Sequence, residues 1–130
     1  MRKKVLIIED STDIGSALKT LVEYEGYEAL LANSAFSGWE LAQSERADLM
    51  IIDVRLPDED GLELTRRFRS NPETSQIPIV CVSSYIWGLE AEALIAGCNE
   101  VFSKVTFMES YKETLAKYLA DSRVSEAKPA

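Results

Sequence analysis

The stretch MIIDVRLPDEDG, residues 50–61, decides the fold of this chain. Its first half is an apolar run that ends in Asp53, and its second half contains Pro57, three further acidic residues and Gly61. A short apolar run bounded by turn residues is typical of a strand buried on both faces of a parallel sheet. The stretch therefore predicts a buried strand that carries one charged side chain, Asp53, at its carboxyl end.

Similar apolar runs recur along the 130-residue chain, and segments with helical spacing separate them. One such segment is predicted to form a helix over about 86–96 that ends at Gly97. Five strands that alternate with five helices predict an α/β fold with a parallel sheet and right-handed crossovers. The domain is predicted to span residues 1–120, because residues 121–130 show no periodicity and are expected to form a loose tail. The five predicted strands are KKVLII (3–8), YEALLA (27–32), DLMIID (48–53), IPIVCVS (77–83) and EVFSK (100–104).

Charge and hydropathy exclude several classes of partner. The formal net charge of −8 argues against nucleic acid, whose binding depends on Lys and Arg that neutralise phosphates. No apolar run approaches the roughly 18 to 20 residues that span a bilayer. The N-terminal MRKKVLIIED is too short and too acidic for a signal peptide. The sequence therefore predicts a cytoplasmic protein that binds neither nucleic acid nor membrane.

The chain contains no histidine and two cysteines, Cys81 and Cys98. The lack of histidine excludes Ser-His-Asp triads, Cys-His pairs and histidine-ligated zinc. Cys81 lies within the apolar run IVCV, where a cysteine usually behaves as a small hydrophobic residue. Both cysteines are therefore expected to be inert rather than to form a disulfide framework.

The predicted strand ends place several polar side chains at one edge of the sheet. Ligands of open parallel sheets bind outside the carboxyl ends of the strands. Neighbouring carboxylates repel one another, and a hard divalent cation such as Mg²⁺ relieves that repulsion. Together with a lysine and a hydroxyl, such a site suits phosphoryl transfer, in which an aspartate acts as nucleophile. The residues at these ends are Glu9, Asp10, Asp53, Ser83 and Lys104.

Taken singly, these residues have simpler interpretations. Glu9 and Asp10 are also expected at the start of a helix, where the dipole favours acidic side chains. Ser83 is often a helix cap, and Lys104 an exposed loop lysine. The aromatic segment YIW at 85–87 is interpreted either as core packing or as a partner surface.

Four motifs, in order, make the chain resemble a bacterial response-regulator receiver domain over residues 1–120. They are VLIIEDS, DLMIIDVRLPDEDGLEL, IPIVCVSS and GCNEVFSK. The resemblance implies a doubly wound, flavodoxin-like sheet with strand order 2-1-3-4-5. It also implies a single-domain receiver of a two-component or phosphorelay system, which acts through partner affinity and is not an enzyme towards other substrates.

The same resemblance assigns roles to individual residues. Asp53 would accept a phosphoryl group from a histidine kinase or a histidine phosphotransfer protein, and an unknown downstream protein would read the result. Asp10, Asp53 and the backbone carbonyl of Arg55 would bind Mg²⁺, and Glu9 would hold it through water. Ser83 and Lys104 would bind the phosphoryl oxygens.

Four positions modify this expectation. The family lysine is usually followed by a cis proline, whereas Val105 follows Lys104, so this bond is either trans or strained by about 3 kcal/mol. Val101 occupies the switch position, where the family commonly has an aromatic residue. Arg55 and Tyr85 flank the expected phosphoryl group and are predicted to modulate its lifetime.

Three other functions compete with this interpretation. An aspartyl phosphohydrolase of the haloacid-dehalogenase type needs a second aspartate two residues after the nucleophile, where this chain has Arg55. A receiver-like interaction module that works without phosphate is the stronger alternative, because Val101 and Val105 depart from the pattern. A flavodoxin-type flavin protein shares the fold, but its phosphate loop would not be as acidic as EDSTDIG (9–15).

Overall fold

The computed structural model describes residues 2–120, and these form one five-stranded parallel sheet with five helices. The strand order is β2-β1-β3-β4-β5, which confirms the predicted fold class. The predicted tail at 121–130 lies outside the described residues. The strands are β1 Lys4–Ile8, β2 Glu28–Ala32, β3 Leu49–Asp53, β4 Ile79–Ser83 and β5 Glu100–Ser103. The helices are α1 Thr12–Tyr24, α2 Ala35–Ser44, α3 Gly61–Ser70, α4 Glu90–Ala96 and α5 Lys104–Leu119.

Apolar residues on both faces of the strands explain why the sheet is covered on both sides. Leu6 and Ile8 of β1 pack on the face that α2, α3 and α4 cover, whereas Val5 and Ile7 pack on the face that α1 and α5 cover. Successive side chains of a strand point to opposite faces, so a continuous apolar run supplies both cores. Phe68 of α3 is among the largest side chains that are fully buried in the first core.

Short polar side chains begin most of the helices. Ser11, Ser34, Asp60 and Ser103 each accept a hydrogen bond from a backbone N–H in the first turn of α1, α2, α3 and α5. Such caps satisfy amide groups that have no partner inside the helix. In α4 the cap residue is Leu89, which supplies no side-chain hydrogen bond, and this helix begins four residues later than the sequence predicted.

The two cysteines contradict the expectation that they would be inert. A disulfide joins Cys81 of β4 to Cys98, which follows the C-terminal end of α4. Their Cα atoms lie 6.3 Å apart, within the range that disulfides require. The expectation was wrong because the two cysteines are 17 positions apart in sequence, and only the pairing of β4 with β5 in the sheet brings them together.

Within residues 2–120, none of the five helices is long and apolar enough to cross a bilayer.

Candidate functional site

The site lies where the strand order reverses, at the carboxyl ends of β1 and β3. Ile8 pairs with Ile52 in the parallel register, so Glu9 and Asp53 follow at the same level of two adjacent strands. Chain connections leave β1 and β3 in opposite directions at this point, which opens a crevice at the edge of the sheet. The sheet therefore brings together the acidic residues that are far apart in sequence.

Asp53 is buried, with 3% of its surface exposed, and both carboxylate oxygens have partners. Oδ1 accepts a hydrogen bond from the backbone N–H of Arg55 at 3.0 Å, and Oδ2 accepts one from Lys104 Nζ at 3.0 Å. A buried carboxylate needs such partners because its transfer out of water costs several kcal/mol. One charged partner and one backbone partner thus hold the side chain at the end of β3.

Glu9 shares the same lysine. Its Oε1 lies 2.9 Å from Lys104 Nζ, and its Oε2 accepts a hydrogen bond from the backbone N–H of Ser11 at 3.1 Å. Burial raises the pKa of Glu9 to about 7, although the ammonium of Lys104 acts in the opposite direction. Burial by itself lowers the pKa of Lys104, but its bonds to Glu9 and Asp53 leave that pKa raised overall, so the lysine is a cation at neutral pH.

Three carboxylates form the acidic part of the site. Oxygen atoms of Glu9, Asp10 and Asp53 lie within 4.8 Å of one another, and Asp10 is exposed to solvent. The buried Oε1 of Glu9 is ion-paired with Lys104 at 2.9 Å. Clustered hard oxygen donors of this kind fit a small divalent cation such as Mg²⁺.

The Lys104–Val105 bond is trans, because residues 2–120 contain no cis peptide bond. Lys104 is the first residue of α5 rather than the last of β5, and Ser103 caps that helix. The side chain nevertheless reaches both Asp53 and Glu9. The lysine therefore needs no cis proline to enter the site, and the interpretation of Lys104 as an exposed loop residue was wrong.

Ser83 ends β4 with its side chain buried. Its hydroxyl donates to the carbonyl of Tyr85 at 3.0 Å and accepts from the N–H of Tyr85 at 3.3 Å. The alternative interpretation of Ser83 as a helix cap was wrong, because α4 begins only at Glu90. In this conformation the hydroxyl closes the turn after β4.

The other predicted residues surround this edge of the sheet. Arg55 has an exposed side chain, and Val101 is partly buried against the core that includes Phe68. Tyr85 and Trp87 are 64% and 80% exposed, so the segment YIW does not pack its larger rings into the core. Of the two interpretations of this segment, core packing was wrong for these two residues.

Two features near the site were missed from the sequence. Gly61 was interpreted only as loop shape, yet a Cβ there would lie 2.8 Å from Val54 Cα and 3.0 Å from the carbonyl carbon of Asp53. Asp58 accepts hydrogen bonds from the N–H groups of Ala35 and Phe36 at 2.9 and 3.0 Å, which ties the loop after β3 to the start of α2. A single sequence gives no signal for either contact, because both depend on how distant segments pack.

Comparisons with known proteins agree with this geometry. The family model for the response regulator receiver domain matches residues 5–116. The chain is 31% identical over 123 residues to the polar-differentiation response regulator DivK of Brucella anthropi, covering 94% of this chain and all of that protein.

Solved structures have the same fold. The chemotaxis protein CheY4 of Vibrio cholerae is 25% identical, has a TM-score of 0.85, and covers 92% of this chain and all of its own. The receiver domain of the sensor histidine kinase PA1611 from Pseudomonas aeruginosa, solved with magnesium in its active-site cleft, is 22% identical. Its TM-score is 0.83, and the match covers 93% of this chain and all of that domain. The family match over most of the chain and the buried acidic edge of the sheet lead to one conclusion: this chain belongs to the response regulator receiver domains, the signalling modules of two-component systems.

Proposed function

We propose that Asp53 is the phosphoacceptor of a receiver that occupies residues 1–120 and acts in the cytoplasm. The observation that carries the proposal is the environment of Asp53, which is buried at the end of a central strand and bonded to Lys104. A carboxylate held beside an ammonium is aligned for attack at a phosphorus atom, and the cation offsets charge on the phosphoryl oxygens.

The phosphoryl donor is a histidine kinase or a histidine phosphotransfer protein. An Asp53 oxygen attacks the phosphorus of the phosphohistidine, an O–P bond forms and the P–N bond breaks. The histidine leaves with a proton on the released ring nitrogen. The chain catalyses only this transfer and the later hydrolysis of its own acyl phosphate, and it has no other substrate.

Glu9, Asp10, Asp53 and the carbonyl of Arg55 would hold Mg²⁺. When bound, the ion neutralises charge that the carboxylates and the incoming phosphoryl group would otherwise concentrate in one place. The close carboxylate oxygens support this assignment. Lys104 remains bonded to the acceptor and orients it.

The response starts at Ser83. Binding of its hydroxyl to a phosphoryl oxygen would break the bonds that it makes with Tyr85. The segment after β4 would then move, and with it the exposed rings of Tyr85 and Trp87. Val101 is too small to act as an aromatic switch, so these rings are proposed to form part of the surface that a downstream protein binds.

Labelling with acetyl phosphate and Mg²⁺ tests the acceptor. One phosphate should be added per chain, and hydroxylamine should remove it, as expected for an acyl phosphate. Asp53→Asn should abolish labelling, whereas Asp60→Asn, in the neighbouring loop, should be labelled like the wild type. Equal labelling of Asp53→Asn and the wild type would refute the proposal.

Binding of a partner to labelled and to unlabelled protein distinguishes a module that works without phosphate. Such a module would bind its partner equally well before and after labelling. The position of Lys104 argues against it, since the trans bond to Val105 does not remove the lysine from Asp53.

A further inference from the structure

The two ends of α4 are held very differently. At the C-terminal end, Gly97 ends the helix in a left-handed conformation with φ of 117°, and Cys98 follows directly. Cys98 is bonded to Cys81, which precedes Ser83 by two residues on β4. A covalent link thus joins the end of α4 to the strand that carries the proposed switch hydroxyl.

Arg69 of α3 holds the same end of α4 without a covalent bond. Its Nε donates to the carbonyl of Gly97 at 2.9 Å, and one of its terminal nitrogens donates to Asn99 Oδ1 at 3.0 Å. The other terminal nitrogen donates to the carbonyls of Ser75 and Ile77. The turn after α4 therefore stays attached to α3 even when the disulfide is open.

Among residues 2–120, no disulfide or side-chain hydrogen bond holds the N-terminal end of α4 in the same way. Leu89 offers no capping side chain, and Gly88 has a φ of 74° in an exposed turn. Trp87 extends into solvent. A helix held by a disulfide and by Arg69 at one end, and mainly by the packing of Leu89 against the core at the other, can change its direction by pivoting about the fixed end.

We propose that Cys81 and Cys98 are a reversible thiol–disulfide pair whose redox state controls how readily α4 responds to a phosphoryl group at Asp53. The inference rests on the proposed function, because the response that it modifies is the one triggered at Asp53. In the oxidised protein the pivot is covalent, and in the reduced protein only the hydrogen bonds of Arg69 remain.

The chemistry is a two-electron exchange with a small-molecule disulfide. The thiolate of Cys98 attacks one sulfur of that disulfide, which releases one small thiol and leaves a mixed disulfide on Cys98. The thiolate of Cys81 then attacks the Cys98 sulfur and releases the second small thiol. The two protein thiols are oxidised, the small disulfide is reduced, and their two protons pass to the released thiols.

Cys98 is the entry point, because it lies in the turn after α4 and is 5% exposed, whereas Cys81 is fully buried. Local opening of that turn, which breaks the hydrogen bonds of Arg69 to Gly97 and Asn99, would expose the sulfur and leave β4 in the sheet. Cys81 has a polar neighbour in Thr65, whose Oγ1 lies 3.7 Å from the sulfur.

The direction of the effect follows from the geometry. A covalent bond between residue 98 and β4 excludes sliding of α4 along the sheet and leaves only the pivot. The phosphoryl-bound arrangement is proposed to include such sliding, so the disulfide disfavours that state specifically and oxidation should weaken the response. Reduction should strengthen it several-fold.

The test uses the full chain and the fluorescence of Trp87. Trp39→Phe removes the other tryptophan and retains an aromatic ring against Phe68. Beryllofluoride, a phosphoryl mimic, is titrated with excess Mg²⁺ into pools treated with glutathione disulfide or with a phosphine reductant. Mass spectrometry after alkylation counts the free thiols in each pool.

We expect two free thiols in the reduced pool, none in the oxidised pool, and a several-fold higher beryllofluoride midpoint after oxidation. Cys98→Ala should show one midpoint in both treatments. Equal midpoints in the fully oxidised and fully reduced Trp39→Phe protein, or failure of glutathione disulfide to oxidise its thiols, would overturn the redox proposal alone. If the reduced protein shows no change in Trp87 fluorescence with beryllofluoride, or if Asp53→Asn shows the same change, the proposed function and the redox proposal both fail.

Discussion

Asp53 depends on a glycine in the next helix. The N–H of Gly61 donates to the carbonyl of Val54 at 2.7 Å, so the start of α3 lies directly against the end of β3. At this distance there is no space for a side chain at residue 61. The position of Asp53 is therefore set partly by Gly61, a residue without a side chain.

We expect Gly61→Ala to lower the free energy of unfolding by about 1–3 kcal/mol, as overpacked sites do, and to slow labelling of Asp53. The control is Gln43→Ala, at an exposed position of α2. Urea unfolding and acetyl phosphate labelling measure both effects. Equal stability and equal labelling of the two variants would show that the contact of Gly61 with β3 is not critical.

Arg55 contributes its backbone to the site and leaves its side chain in solvent. In the proposed phosphoprotein, the guanidinium would lie across the phosphoryl group and Tyr85 would lie on the path of water from the other side. No carboxylate or amide occupies either position to orient a water molecule, so shielding should dominate and the phosphoprotein should be long-lived.

We therefore expect Arg55→Ala to speed the loss of phosphate several-fold, and Tyr85→Ala to speed it as well. Release of phosphate from labelled protein, after removal of the donor, gives the rate. Arg46→Ala is the control, since Arg46 precedes β3 and lies at the opposite end of the sheet. Slower release from Arg55→Ala would mean that the arginine stabilises the transition state instead.

At the scale of elements, Asp58 joins two parts of the fold that the sequence separates. Its carboxylate accepts hydrogen bonds from the backbone N–H groups of Ala35 and Phe36. These two hydrogen bonds are the main reason that the pKa of Asp58 lies below the usual 3.8. The loop that carries Arg55 is in this way attached to the start of α2.

We expect Asp58→Ala to lower the free energy of unfolding by about 1 kcal/mol, the usual cost of losing a helix cap. A lowered folded-state pKa stabilises the protein above the unfolded value of 3.8, and this contribution is lost as pH falls through the folded value. The difference between wild type and Asp58→Ala should therefore be complete at pH 7 and shrink below about pH 4. Urea unfolding at several pH values measures it.

Glu40→Ala, at an exposed position of α2, is the matched control and should change stability little at any pH. A difference between wild type and Asp58→Ala that persists undiminished at low pH would mean that the charge of Asp58 is not what holds the two elements together.

The elements also show what a sequence can and cannot predict. The strands were predicted because apolar runs on both faces leave few alternatives, and the acidic edge followed from where those runs end. The start of α4 was misplaced because residues 87–89, which include Gly88 with its positive φ, form a turn before the helix begins. The Cys81–Cys98 bond and the Asp58 contacts depend on the spacing between packed elements, which periodicity does not contain.

At the scale of the whole molecule, the chain has a net charge of −8, and three of its carboxylates are clustered in the site. Lys104 forms ion pairs with Glu9 and Asp53, whereas Asp10 faces solvent and takes no part in these ion pairs. Repulsion among these groups is a cost that the folded chain carries and that the unfolded chain does not.

Mg²⁺ should therefore raise the melting temperature, because an ion that binds only the folded protein stabilises it by mass action. At ten times its dissociation constant the gain is about 1.4 kcal/mol, which corresponds to a rise of about 3 to 6 °C in a domain of this size. Asp10→Asn should lose most of this rise, whereas Asp13→Asn, on the exposed face of α1, should retain it. Thermal unfolding with Mg²⁺, compared with NaCl at equal ionic strength, separates specific binding from screening. If both variants gained as much as the wild type, or if NaCl gave the same rise, Asp10 would not belong to a metal site, and the acidic edge of the sheet would need another explanation.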